Sequence, residues 1–216
     1  MKQKSLGLNG ILNGLRSALN LLFPLVTFPY IARVLSVKGI GIYNFSSTYV
    51  GYFVLIAGLG ISTYAVREGA KYRNDRKKIS NFVSQIFSIN IISTLLAYAF
   101  LLISILVFDN LNKYVSCILI FSLQIFFTTI GAEWVYIIFE DYSYITVRSI
   151  IFKIISILFL FLFVRHKNDY LWYAAITVFS SVGSNIFNFL YAKKFCDISP
   201  PTSRPSTPRP TTWACP

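Results

Sequence analysis

The sequence predicts an all-α integral membrane protein, a lobe of six transmembrane helices followed by a disordered, Pro-rich tail. Hydrophobic residues make up 55% of the 216 positions and charged residues only 13%, whereas soluble proteins average about 25% charged. The apolar residues fall in long blocks, and a block of roughly 18 or more with few charges is typical of a transmembrane helix. Barrel strands would be short and alternating, so helices are favoured.

The apolar blocks define six spans within residues 1–198. They cover about residues 5–32, 39–66, 79–108, 114–139, 144–164 and 170–192. The second, third and sixth spans have no charge, whereas Arg16, Glu133 and Lys153 lie inside the first, fourth and fifth. Arg16 and nearby asparagines interrupt the first block and no small-residue cleavage site follows, so we interpret it as a span rather than a signal peptide.

The distribution of Lys and Arg predicts a cytoplasmic N-terminus, because cytoplasmic segments are enriched in positive charge. With that orientation eleven basic residues lie inside and five outside. The inner set is Lys2, Lys4, Arg67, Lys71, Arg73, Arg76, Lys77, Lys78, Arg148, Lys193 and Lys194, and the outer set is Arg33, Lys38, Lys113, Arg165 and Lys167. The basic loop at 65–80 is interpreted as a topology anchor in preference to a specific anionic-lipid site.

Residues 199–216, SPPTSRPSTPRPTTWACP, have a different composition and contain six of the eight prolines. Such a segment predicts an extended, disordered tail. Because the change is abrupt and follows a span end, we interpret the tail as the product of a frameshift or truncation. The alternative is a Pro-rich ligand for a partner protein.

Several function classes find no support in the sequence. The net charge is +12, but the basic residues lie at the edges of apolar blocks rather than on a solvated face, which disfavours nucleic-acid binding. The three cysteines have no paired spacing and His166 is alone, so no metal site and no cofactor is predicted. Motifs of hydrolases, metalloproteases and P-loop proteins do not occur, and the protein is therefore not expected to be an enzyme.

A polar stripe in the first span is the main functional signal. Asn9, Asn13, Arg16 and Asn20 are spaced four, three and four residues apart, which places them on one helix face. Arg16 lies roughly 16 Å along the helix from its start, near the centre of a hydrocarbon core about 30 Å thick. A charge at that depth costs at least about 2.5–3.5 kcal/mol on insertion scales, and it marks a pathway or binding site by default.

Two interpretations of the stripe remain open. Arg16 could pair with Glu133 and the asparagines could bond between helices, or the stripe could line a cavity for a polar, anionic substrate, since guanidinium matches phosphate and amides match sugar hydroxyls. Glu133 could also pair with Lys153, either for structure or for proton coupling. Gly10 and Gly14 have the spacing of close helix contacts. The predicted substrate-path residues are Asn9, Asn13, Arg16, Asn20, Arg33, Glu133 and Lys153.

Two segments resemble a known family. FPYIARVLSVKGIGIYNFSSTYVGYFVLIAGLGISTYAVREGAKYRND (28–75) and GAEWVYIIFEDYSYITVRSIIFKI (131–154) are similar to helical hairpins of the O-antigen flippases, the Wzx type of polysaccharide exporter. The resemblance covers about residues 1–198, and the tail departs from it. It implies half of a two-lobe, MATE-like fold around a central cavity. It also implies flipping of an undecaprenyl-diphosphate-linked oligosaccharide from the cytoplasmic to the periplasmic leaflet.

The resemblance further implies contact with membrane lipids, and with polysaccharide polymerase and chain-length proteins. Because half a cavity cannot alternate access by rocking one half against the other, the chain is expected to act only with a second lobe. The alternative function is a non-transporting membrane assembly or scaffold protein, in which the polar stripe is only a helix contact.

Overall fold

A computed structural model describes residues 6–185 and residue 188, and in these residues the chain is helical without a strand. The helices are α1 (Leu6–Val34), α2 (Val37–Gly58), α3 (Ile61–Tyr72), α4 (Arg76–Val107), α5 (Val115–Gly131), α6 (Glu133–Ile138), α7 (Tyr142–Phe163) and α8 (Tyr170–Val182), with a 3₁₀ helix at Asp109–Tyr114 before α5. The end of the predicted sixth span and the whole predicted tail lie outside the described residues.

The described chain contains five segments that are long and apolar enough to cross a membrane. They are Gly10–Val34, Val37–Tyr72, Arg76–Val107, Asp109–Ile138 and Tyr142–Phe163. The apolar helix Tyr170–Val182 is shorter. The protein is thus an all-α, multi-pass integral membrane protein.

Side chains outside the spans set the starts of two helices. The hydroxyl of Ser36 accepts a hydrogen bond from the Gly39 backbone N–H at 3.1 Å and caps α2. The Asp75 carboxylate accepts from the backbone N–H groups of Lys77 and Lys78 and caps α4. Such caps satisfy backbone donors that have no partner within the helix.

Two of the membrane segments are each interrupted by a short break. Leu59 and Gly60, with φ of 39° and 67°, separate α2 from α3. Ala132, with φ of 38°, separates α5 from α6. A residue in the left-handed region ends an α-helix. The predicted span 39–66 therefore lies within one membrane segment, Val37–Tyr72, but its helix is interrupted at this break.

The described core consists of separate apolar clusters along the membrane segments. The first cluster joins α2, α4, α5 and α8 around residues such as Val50, Leu101 and Phe121. The second joins α3, α6 and the N-terminal half of α4, around Val83 and Val135. Because α4 contributes to both clusters, it connects the two halves of the bundle.

Helix α1 lies at the edge of the bundle and packs mainly against α7, which in turn packs on α8. Its side chains are mostly exposed, with Ile11 at 71% and Leu21 at 77%. Contact of such a long apolar surface with water is unfavourable, so lipid or another protein surface covers it. A Cβ added at Gly10 or Gly14 would meet no atom within 4 Å, so these glycines make no close helix contact within the described lobe.

Candidate functional site

Helix α7 carries a strip of polar side chains on its buried face. Thr146, Lys153 and Leu160 are buried at seven-residue intervals, and Ser156 is buried beside them. An interval of seven residues is nearly two helical turns, which keeps these side chains on one side of the helix. Arg148 is buried too, but it lies five residues before Lys153, about 140° round the helix, and therefore faces a different side. Both residues are unusual, because basic side chains are rarely buried unless they have a partner.

The groups that contact these buried side chains of α7 come from α1 and α6. We call the set Asn20, Glu133, Thr146, Arg148 and Lys153 the polar strip. The Lys153 ammonium donates a hydrogen bond to the Asn20 side-chain oxygen. The Thr146 hydroxyl donates to the backbone carbonyl of Leu12 at 3.2 Å. Since α1 packs mainly on α7, these bonds attach the N-terminal half of α1 to the rest of the lobe.

Glu133 and Arg148 form the ionic part of the strip. Glu133 begins α6 directly after the break at Ala132, and its carboxylate lies 3.5 Å from an Arg148 terminal nitrogen. The Arg148 guanidinium also lies 5.5 Å from the centre of the Tyr144 ring, within the range of cation–π attraction. Arg148 is 8% exposed and Lys153 is 9% exposed, so low-dielectric surroundings strengthen these contacts.

A cavity and a groove lie next to the Glu133–Arg148 ion pair. A cavity of about 140 Å³ has Glu133 in its wall and lies between the break regions of α2–α3 and α5–α6. A more open groove of about 560 Å³ runs along α7. It is lined by Ser143, Tyr144, Val147, Arg148, Ile151 and Phe152. The Glu133–Arg148 pair therefore connects the wall of the inner cavity to the wall of the outer groove.

The structure brings together only part of the predicted substrate path. Asn20 and Lys153 meet, while Glu133 approaches Arg148. The two charges that the sequence suggested as partners of each other, Glu133 and Lys153, thus each have a contact elsewhere. Asn13 is exposed along α1, and Arg33 is exposed at its end, away from the strip in sequence.

The backbones of Asn9 and Arg16 lie within α1, but their side chains are outside the described residues. The alternative in which Arg16 pairs with Glu133 therefore stays a prediction. Both positions follow the spacing that places them on the face of Asn13 and Asn20.

Arg148 is the residue that the sequence reasoning missed. It was counted among cytoplasmic positive charges, whereas the structure buries it in the second turn of α7. Its position inside the predicted fifth span was the available signal, because a charge within a span marks a functional candidate. No group of three or more His, Cys, Asp or Glu side chains that could hold a metal ion occurs in the described part of the chain.

Comparison with known proteins gives the family. The model of the family described as "Polysaccharide biosynthesis protein" matches residues 6–212. The chain belongs to this family. The match continues past residue 198, where the resemblance seen in the sequence was expected to end, and includes most of the Pro-rich segment.

A curated relative gives a second comparison. The chain is 26% identical over 150 residues to a protein of Escherichia coli (strain K12) named "Putative O-antigen transporter". The aligned part covers 69% of this chain and 36% of the relative, so the chain spans about a third of that protein's length. No solved structure gives a significant match.

Proposed function

We propose that the chain is a lobe of a flippase that moves an undecaprenyl-diphosphate-linked O-antigen repeat unit from the cytoplasmic to the periplasmic leaflet. The observation that carries the proposal is the burial of two basic side chains, Arg148 and Lys153, within one membrane-spanning helix. Intramembrane basic residues are costly and mark pathways, and the family and the named relative are consistent with this role.

The chemistry of the strip suits an anionic, sugar-bearing lipid. A guanidinium binds phosphate oxygens through two parallel hydrogen bonds, and an ammonium adds a compact positive charge. In the described conformation Arg148 contacts Glu133 and Lys153 contacts Asn20. In the proposed mechanism a diphosphate replaces these partners, so the protein groups hold the cations until the substrate arrives. Asn13, which is exposed on α1, is placed to meet sugar hydroxyls.

The proposed path needs a second wall. Transporters built from two related halves move substrates by rocking one half against the other around a central site. We propose that the exposed face of α1 meets a second lobe, in the same polypeptide or in another chain. The proposed orientation has the N-terminus in the cytoplasm of a bacterial inner membrane. The polymerase and chain-length proteins that use the product are the proposed partners, and the lobe performs no covalent chemistry.

Substitutions at the native chromosomal locus test the function, with surface polysaccharide as the measurement. Lys153→Met and Arg148→Gln keep much of the side-chain volume and remove the charge, so we expect surface polymer to fall sharply and the lipid-linked precursor to accumulate. Lys153→Arg should retain part of the activity. Lys113→Gln is the matched control, because Lys113 is an exposed basic residue in the 3₁₀ helix. Normal surface polymer in both charge-removing variants at wild-type protein level would refute the proposal.

A scaffold function is the second candidate, and the Lys153–Asn20 contact favours it, because this bond also joins two helices. Thermal stability in detergent separates the two functions. A scaffold predicts that Lys153→Met lowers stability and function together. A flippase predicts that transport is lost in protein that remains folded.

A further inference from the structure

The cavity of about 140 Å³ lies where two membrane segments are broken. Its wall includes Gly58 and Ile61, on either side of the α2–α3 break, together with Thr129 and Glu133, on either side of the α5–α6 break. Broken helices in membrane proteins are tolerated where the irregular backbone is buried in protein or lines a water-filled cavity. The position of the cavity is therefore informative about its content.

Asn90 of α4 gives an independent indication of a polar occupant. This residue lines the cavity and is 92% buried, since only 8% of its surface is exposed. Its side-chain amide makes no hydrogen bond to any group among the residues that the structure describes, whereas its backbone carbonyl accepts one from Thr94. A side-chain amide that faces a cavity without a protein partner is commonly satisfied by ordered water.

The remaining polar wall fits water better than a metal cation. Between the apolar residues that make up most of its wall, the cavity is also lined by Ser62, Thr128, Thr129 and Glu133, whose side chains carry oxygen atoms. Oxygen atoms of this kind could also bind a cation, but the Arg148 guanidinium lies 3.5 Å from the carboxylate and opposes a further positive charge there. A cavity holds water where it has room for a molecule and polar groups to bond it, and the polar residues of this wall supply such groups.

We propose that this cavity is an internal water site that hydrates the Glu133 carboxylate from the side opposite the groove of α7. The cavity volume of about 140 Å³ is several times the minimum that one water molecule needs, so the space has room for more than one. The waters bond to the Asn90 amide and to the Glu133 carboxylate, and they bridge the two helix breaks. Glu133 then keeps a solvation partner when Arg148 moves to an anionic ligand. This last role rests on the proposed function, whereas the water site itself does not.

Water-edited solid-state NMR of the chain in lipid bilayers tests the proposal. Magnetisation should pass from water to the Asn90 side-chain amide several-fold faster than to the amide of Asn185. Asn185 is the matched control because it is also 8% exposed, but its amide donates to the Phe127 carbonyl at 3.0 Å. The Asn90 side-chain signal is identified by its disappearance in the Asn90→Leu variant. If that variant does not fold, Asn90→Ser serves the same purpose.

Magnetisation transfer from water to the Glu133 carboxylate is a second measurement on the same sample. The chain has three glutamates, and Glu133→Gln identifies the signal that should receive water magnetisation together with that of Asn90. Transfer to Asn90 no faster than to Asn185, or a Glu133 signal without transfer, overturns the proposal. A shift of both signals on titration with Na⁺, absent with a bulky organic cation, identifies a metal ion as the occupant and also overturns it.

Discussion

The contact between the end of α5 and the region after α8 allows a quantitative prediction for Gly131→Ala. A Cβ on Gly131 would lie 2.4 Å from the Asn185 side-chain carbon Cγ, 2.6 Å from its Nδ2 and 2.7 Å from its Cβ. Overpacking of this kind costs about 1–3 kcal/mol. Displacing the Asn185 amide also breaks its hydrogen bond to Phe127, which contributes about 0.5–1.5 kcal/mol. The better helix propensity of alanine offsets up to about 1 kcal/mol.

We therefore expect Gly131→Ala to lower the free energy of unfolding by about 1–3 kcal/mol, which corresponds to a decrease in Tm of about 3–10 °C. The assay is thermal unfolding in lipid nanodiscs followed by circular dichroism. Gly51→Ala is the control, since a Cβ at Gly51 of α2 meets no atom within 4 Å, and it should leave Tm unchanged or raise it. Asn185→Ala should relieve part of the clash in a double-mutant cycle. Equal Tm values for Gly131→Ala and wild type would refute this contact.

Three further predictions concern single residues. Leu59→Gly should raise Tm, because Leu59 has φ of 39° and a left-handed residue other than glycine costs about 1–2 kcal/mol. The control Leu55→Gly, at a similarly exposed helical position, should lower Tm. A lower Tm for Leu59→Gly than for Leu55→Gly would contradict the break. Tyr30→Phe should reduce stability by about 0.5–1.5 kcal/mol by removing the 2.8 Å hydrogen bond to the Val164 carbonyl, and an unchanged Tm excludes it. The backbone N–H groups that follow Asp75 hold the pKa of its carboxyl below the ordinary value. The ionised carboxylate therefore stabilises the fold above the unfolded-state pKa of about 4, and this stabilisation is lost as the pH falls through the lower, folded-state pKa. Asp75→Asn, which keeps a capping oxygen, should abolish this part of the pH dependence of Tm.

The membrane helices could be predicted from the sequence, but the two breaks could not. Long apolar blocks determine where a helix can cross a bilayer, because backbone polar groups must be satisfied within the segment. Leu59 and Ala132 are ordinary helix-forming residues, yet both adopt positive φ. Ala132 is buried, so tertiary packing overrides its local preference, whereas Leu59 is largely exposed and directly precedes Gly60. Gly60 offered a signal, because glycine tolerates this conformation, but a glycine inside an apolar block also fits close helix packing.

The sequence predicted that two charged residues of the candidate site lie inside membrane spans, but not which groups they contact. The positions of Glu133 and Lys153 inside apolar spans identified them as intramembrane charges. Which groups they contact depends on how α1, α6 and α7 rotate about their axes, and side-chain spacing within one helix does not determine that rotation. Arg148 and Asn20 became the neighbours of Glu133 and Lys153 for this reason.

The polar residues of α4 lie where its neighbours are broken, and this coincidence indicates where the lobe could bend. The Ser93 hydroxyl contacts the carbonyls of Ile56 and Ala57 at the end of α2, and the Thr94 hydroxyl contacts Thr129 near the end of α5. Above and below this level α4 packs into separate apolar clusters. Apolar packing resists deformation, whereas hydroxyls and water can exchange partners. A hinge within the lobe therefore belongs at the level of the cavity, beside the Glu133–Arg148 pair.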